Sequence, residues 1–189
     1  MNACFTDRPQ LALVGFMGTG KTTIGNLAAA ALGFRFIDLD IMVAAAAGCS
    51  IPEIFAREGE AGFRSREHDM LLAISGHPGQ VLATGGGIVL RPDHVPHLRR
   101  AGLVVALIAS PEVIAVRVSE GEGRPLLRNN PEENVRRLLQ EREPLYREAA
   151  DLILDTGALA PAEAADALVR WYQDKSFVAP SKRRGGGLV

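Results

Sequence analysis

The chain is short of cysteine, of long apolar runs and of surplus charge, and each shortage closes off a class of protein. Only Cys4 and Cys49 occur among 189 residues. They form no metal-ligand or redox spacing, so the chain reads as a reduced, cytoplasmic protein. No apolar run approaches the 18 or more residues of a membrane helix, and no membrane partner is expected. The opening MNACFTDRPQ has neither the basic and apolar regions of a secretory leader nor the Arg/Ser-rich look of a transit peptide. Lys and Arg number 21 against 22 Asp and Glu. The last sixteen residues hold four basic side chains and one acidic; without them the balance is 17 against 21. That is the reverse of the basic surplus by which a nucleic-acid binder is known. No internal repeat is found.

What is present is an ordinary soluble composition, 47 % hydrophobic and 23 % charged, at a length that suits one α/β domain. Residues 1–173 read as that domain. The basic, Gly-rich segment 174–189 reads as a disordered tail. Five short apolar runs recur, Leu11–Val14, Phe34–Ile37, Val81–Ala83, Leu103–Ile108 and Leu152–Leu154. Each is apolar at successive positions, as parallel strands covered on both faces are. Helix starts lie between them. Ser50 with Glu53 makes a capping box, and Ser110–Pro111 and Asn130–Pro131 each set a cap residue before a first-turn proline. The expected fold is α/β: a three-layer sandwich with a central five-stranded parallel sheet flanked by helices.

Directly after the first run, Gly15-Phe16-Met17-Gly18-Thr19-Gly20-Lys21-Thr22 matches G-x-x-x-x-G-K-[ST]. Ile24, Leu27, Ala28 and Ala31 then recur at helical spacing. Glycines let successive N–H groups converge on a phosphate, and a helix N-terminus adds partial positive charge. Lys21 can reach the outer phosphates and the Thr22 hydroxyl can ligate Mg²⁺. The fold is therefore of the P-loop NTPase type. The GTPase strings N-K-x-D and D-x-x-G are both missing, which favours a small-molecule kinase. The third apolar run ends in Gly85-Gly86-Gly87 where many P-loop ATPases carry Asp. Asp38 and Asp40, at the end of the second run, are then the acids nearest to hand. An i, i+2 spacing in extended chain points both the same way. One would hold a metal-bound water and the other accept a proton from an attacking hydroxyl; a helix N-cap beside a solvated acid is the alternative.

Taken together, GFMGTGKTT, FIDLD, SIPEIFAREGEAGFR with Glu67, VLATGGG, GRPLL and REPLY with LILDT resemble, in the same order, the shikimate kinase family. The likeness runs from about Gln10 to about Trp171. It implies ATP-dependent phosphorylation of the 3-hydroxyl of shikimate, on the way to chorismate and the aromatic amino acids, by an enzyme of a family that inclines to monomers. It also implies a nucleotide site at Gly18, Thr19, Gly20, Lys21, Thr22 and Thr23, with Arg117 packed on adenine. Thr22 and, through water, Asp38 would serve Mg²⁺. Asp40 would be the base and bind the reacting hydroxyls within a substrate segment spanning about 38–67. Arg64 and Arg142 would grip the substrate carboxylate over a floor of Gly85, Gly86 and Gly87. Arg124, in a lid of about 119–130, would cover the transferring phosphoryl, making Asp40, Lys21 and Arg124 the catalytic set.

The residues themselves agree to varying degrees. Val135, Leu138, Leu139, Arg142 and Leu145 or Tyr146 fall at i, i+3, i+4, i+7, so Arg142 sits in an apolar stripe. A buried guanidinium needs an anion, either a ligand carboxylate or an internal acid. Arg64 and Glu67 on a helix make a surface ion pair by default. Three glycines at a strand end suit close approach of a ligand, positive φ or a plain tight turn. Glu120–Arg124 reads as a hinged loop or a solvated one. Ala44 stands where the family often has an acid, and DTGALAP lacks the basic residue often found in the adenine loop, which leaves nucleotide choice open. His68, His77, His94 and His97 read as surface or loop residues, Trp171 and Tyr172 as packing. A kinase of another polyol acid such as gluconate, or a non-catalytic nucleotide-binding regulator, are the rival readings.

Overall fold

A computed structural model describes residues 8–119 and 131–176. Five strands, β1 (Gln10–Val14), β2 (Arg35–Asp38), β3 (Gln80–Ala83), β4 (Gly102–Ile108) and β5 (Leu152–Asp155), form one sheet in the order β2-β3-β1-β4-β5. Every pairing is parallel. The strands fall close to the five apolar runs; in β1, β3 and β4 alternate residues enter two different cores, while edge strand β5 turns Leu152 and Leu154 to one core and leaves Ile153 exposed, against the expectation of cover on both faces. Ala12, Val14, Leu82, Val104 and Ala106 face one, and Leu11, Leu13, Val81, Val105 and Leu107 the other. Burying each of these leucines or valines contributes about 1.5–3 kcal/mol.

Helices α1 (Lys21–Leu32) and α7 (Pro161–Ser176) cover the second core. The first is covered by α2 (Leu39–Ala47), α3 (Ile51–Ile74), α4 (His94–Ala101), α5 (Pro111–Ser119) and α6 (Pro131–Ala149), with a short 3-10 turn at Ile88–Leu90. The layers are those expected. The Ser50–Glu53 capping box is formed in both directions, and Ser110 Oγ accepts from Val113 N–H at the start of α5. Pro144 leaves α6 unbroken. Tyr172 is buried, its hydroxyl on Pro9 O, and Trp171 packs against the second core.

Because all strands run parallel, their carboxyl ends share one rim, and β1 there separates β3 from β4. A crevice opens at such a reversal of strand order. The phosphate loop after β1, Asp38 at the end of β2, and the glycines after β3 all meet at it. Within α3, Gly59 has φ 68° and ψ −174°, a conformation essentially closed to other residues, and the helix axis is broken there. No single helix among the described residues is long and apolar enough to cross a membrane. The expected lid, with Arg124 and the Asn130 cap, and residues 177–189 of the expected tail lie outside the described residues.

Candidate active site

The loop from Gly15 to Gly20 takes its shape from three glycines at φ 142°, 80° and 90°. A β-carbon on Gly15 would strike the carbonyl of Leu107 on β4. Thr19 Oγ1 donates to Phe16 O at 2.8 Å and closes the loop from within. No side chain caps α1 at Gly20, and Gly20, Lys21, Thr22 and Thr23 line a cleft at the start of the helix. That cleft has a volume of about 450 Å³. Lys21 Nζ folds back on the loop, donating to Gly15 O at 2.8 Å and Phe16 O at 2.9 Å. Concave backbone N–H groups with one ammonium at their edge make an anion site for a polyphosphate.

Asp38 ends β2 and caps α2, accepting from the N–H groups of Asp40 and Ile41. Its other oxygen accepts from Thr22 Oγ1 at 2.8 Å. The cap and the metal-side reading are thus compatible, since the two oxygens serve different partners. The expectation of an extended Asp38–Asp40 segment is corrected: the strand stops at Asp38 and Asp40 lies in the first turn of α2. Both still line the cleft with Lys21 and Thr22. Asp40 Oδ1 is buried with no hydrogen-bond partner among the described residues. Burial, reinforced by the Asp38 carboxylate, raises the Asp40 pKa above the usual carboxylate value, while Lys21 and Arg64 pull it back in part. The Thr22 hydroxyl and the Asp38 carboxylate are hard oxygen donors beside a phosphate site, a set that fits Mg²⁺.

Close approach explains Gly85 and Gly87, where the neighbours are the protein's own side chains; Gly86 faces the backbone of the phosphate loop at ordinary contact distance. None of Gly85, Gly86 and Gly87 has a positive φ, so that reading falls. A β-carbon on Gly85 would lie 2.6 Å from Glu67 Oε1 and 2.8 Å from Asp40 Oδ1; one on Gly87 would collide with the Arg64 guanidinium. A tight turn is present as well, with Ile88 N–H on Gly85 O at 3.1 Å. Arg64 and Glu67 correct the expected surface pair. Glu67 is 0 % exposed and binds Arg64 Nη1 at 2.7 Å, while Glu60 accepts more loosely at 3.3 Å. Burial raises the Glu67 carboxyl pKa and Arg64 opposes the rise. Glu67 Oε1 is a second buried oxygen without a partner among the described residues.

Arg142 is 6 % exposed in the apolar stripe of α6. No described carboxylate comes within ion-pair distance of it, so among these residues the internal-acid alternative finds no acid. Its guanidinium lies over the Phe16 ring, 5.9 Å from the centroid. One turn on, the Tyr146 hydroxyl bonds Gly86 O, and burial pushes the phenol pKa up. Arg117 donates to Gly18 O at 3.2 Å and Thr156 O at 2.8 Å, tying the phosphate loop to the segment after β5 at the cleft wall. The anchoring roles of Tyr146 and Thr156 were not read from sequence; a tyrosine in an apolar stripe looks like core, and only the fold brings Gly86 to it. His94 is a further correction. It is 1 % exposed, held by Ile88 O at 3.0 Å and His68 at 3.1 Å.

A phosphate loop at a sheet crevice, a buried acid beside it and beyond it the Arg142 guanidinium, without a carboxylate partner among the described residues, fit a P-loop kinase of a small anionic acceptor. A family profile described as shikimate kinase matches residues 17–173. Shikimate kinases of Thermodesulfovibrio yellowstonii and Thiobacillus denitrificans are 45 % and 49 % identical over 164 and 152 residues, 86 % and 80 % of this chain and 94 % and 83 % of theirs. The solved shikimate kinase of Acinetobacter baumannii in complex with shikimate superposes with a TM-score of 0.86 at 38 % identity, covering 90 % of this chain and 96 % of that one. The chain belongs to the shikimate kinase family, whose members transfer a phosphoryl group from ATP to an alcohol group of shikimate.

Proposed function

We propose that Asp40 is the general base that lets the 3-hydroxyl of shikimate attack the γ-phosphoryl of ATP, between a triphosphate on Gly18–Thr23 and a carboxylate gripped by Arg64 and Arg142. The observation that carries this is Asp40 Oδ1 at the cleft, beside Gly85, buried and without a hydrogen-bond partner among the described residues. An oxygen left bare at such a cost is satisfied when a substrate hydroxyl donates to it. Arg142, without an acid of its own among the described residues, and Arg64, tilted over Gly87, offer planar forks that bind one carboxylate bidentately. The glycine floor gives the ring room to lie against backbone.

Lys21 turns from its loop carbonyls to the outer phosphates, and positioning with electrostatic stabilisation supplies most of the acceleration. Thr22 and, through water, Asp38 would hold Mg²⁺, which neutralises phosphate charge when bound. Arg117 packs on adenine, and Arg124 covers the transferring group from the lid; both roles rest on the family likeness. The same reading makes the chain a cytoplasmic monomer acting on small molecules, with no nucleic-acid or membrane partner, in keeping with its balanced charge.

The test is ADP release with shikimate, quinate, gluconate or AMP supplied singly. Stimulation by shikimate alone is expected. Stimulation by gluconate in its place would reassign the acceptor, and stimulation by none would leave a nucleotide-binding regulator.

A further inference from the structure

Three side chains that the phosphoryl transfer does not use converge behind the glycine floor. His68 stands on α3 one residue after Glu67, and Asp93 and His94 open α4 after the 3-10 turn. One ligating atom from each lies within 4.8 Å of the other two. His68 Nδ1 is 3.1 Å from His94 Nε2 and 3.6 Å from Asp93 Oδ2. His94 Nδ1 lies 3.0 Å from Ile88 O. A carbonyl can only accept, so His94 Nδ1 carries the proton and the Nε2 lone pair faces His68, from whose Nδ1–H it accepts. Proteins orient a ligating imidazole in this way, with a backbone carbonyl on the far nitrogen. Asp93 holds the N-cap position of α4 yet makes no side-chain cap bond. Its carboxylate points outward instead, where Arg91 meets both oxygens at 3.2 Å.

We propose that His68, Asp93 and His94 form a binding site for one Zn²⁺-class divalent cation, separate from the Mg²⁺ that accompanies the nucleotide. Two imidazole nitrogens and one carboxylate oxygen, with a fourth position open to water, suit Zn²⁺; Mg²⁺ takes oxygen ligands. Two nitrogens bound at about 2.05 Å in tetrahedral geometry stand about 3.3 Å apart, near the 3.1 Å found; the rings, their planes 10° apart and their centroids 5.3 Å apart, meet nitrogen to nitrogen, and each turns by about 35° to aim its lone pair at a shared ion. In the metal-free protein His68 Nδ1–H donates to His94 Nε2. On binding, partly exposed His68 carries its proton on Nε2 and frees the Nδ1 lone pair, so neutral rings release no net proton. The Arg91 charge beside the third ligand works against the cation and keeps its affinity modest. An ion here ties α3 to the chain that follows Gly87, two elements that also carry Arg64 and its resting place.

The test is calorimetric titration of ZnCl₂ into chelator-stripped full-length protein at neutral pH, with Co²⁺ absorption as a second readout. One ion per chain is expected, unaffected by excess Mg²⁺. Affinity should fall at least ~10-fold in His68→Gln, fall less in Asp93→Asn, and rise in Arg91→Gln. His68 is partly exposed, so its variant tests the site without emptying the buried His94 position. The Co²⁺ complex should show intense visible bands of tetrahedral type that His68→Gln abolishes. Zn²⁺ binding that is absent, or undiminished in His68→Gln, overturns the proposal; the latter would move the ion to a cysteine or to His77.

Discussion

Asp40 Oδ1 is buried without a partner among the described residues, and burial with the Asp38 charge raises its pKa. The same oxygen that makes a base also makes an unfavourable ion in the free protein. Asp40→Asn should lower kcat by at least ~10²-fold while holding or raising Tm, as a coupled assay and a thermal melt on one sample would show. In the parent protein, kcat/KM for shikimate should decline on the acid side through a pKa above 3.8, because the base must be ionised to work. Arg142→Ala should raise the shikimate KM far more than the ATP KM; the opposite pattern would move Arg142 to the nucleotide side. Gly87→Ala would displace the Arg64 guanidinium. A rise of about tenfold in shikimate KM, or ~1.4 kcal/mol, is expected, with ATP KM unchanged.

Elements differ in how openly their residues announce them. The strands could be read because parallel strands covered on both sides are apolar at successive positions. The Ser50 box and the α6 stripe could be read because capping and a 3.6-residue period are local properties. The junction of β2 with α2 could not. An aspartate ending a strand and one capping a helix look alike until Asp40 and Ile41 N–H groups are seen to bind Asp38. Glu67 and His94 were hidden for another reason. Their burial depends on Gly85, Arg64 and Ile88 O, partners brought in by the sheet and not by neighbours in sequence. At Gly59 the break in α3 is a matter of backbone alone, since nothing lies within 4 Å of an added β-carbon. Gly59→Ala should therefore cost about 1–3 kcal/mol through its dihedral angles. In a chain of this size that is a drop of several °C in Tm, readable in a melt without any ligand.

At the scale of the whole molecule, Asp40 and Glu67 set a pH dependence of stability. Both carboxyl pKa values are raised in the folded protein, so between the ordinary values of 3.8 and 4.5 and the raised ones the folded chain holds more protons than the unfolded chain. Their contribution to stability is full below the ordinary values and is lost as pH rises through the raised ones. Urea midpoints across that window should fall with rising pH in the free protein, and the fall should shrink in Asp40→Asn.

The sheet order has a consequence for the protein while it is being made. β1 lies between β3 and β4, so Leu11 must wait for both Val81 and Leu103, and Gly15 rests on the carbonyl of Leu107. A ribosome must therefore extrude the chain through β4 before the loop after β1 can close around a nucleotide. Until then the apolar residues of β1 lack both neighbouring strands and stay exposed to wrong partners.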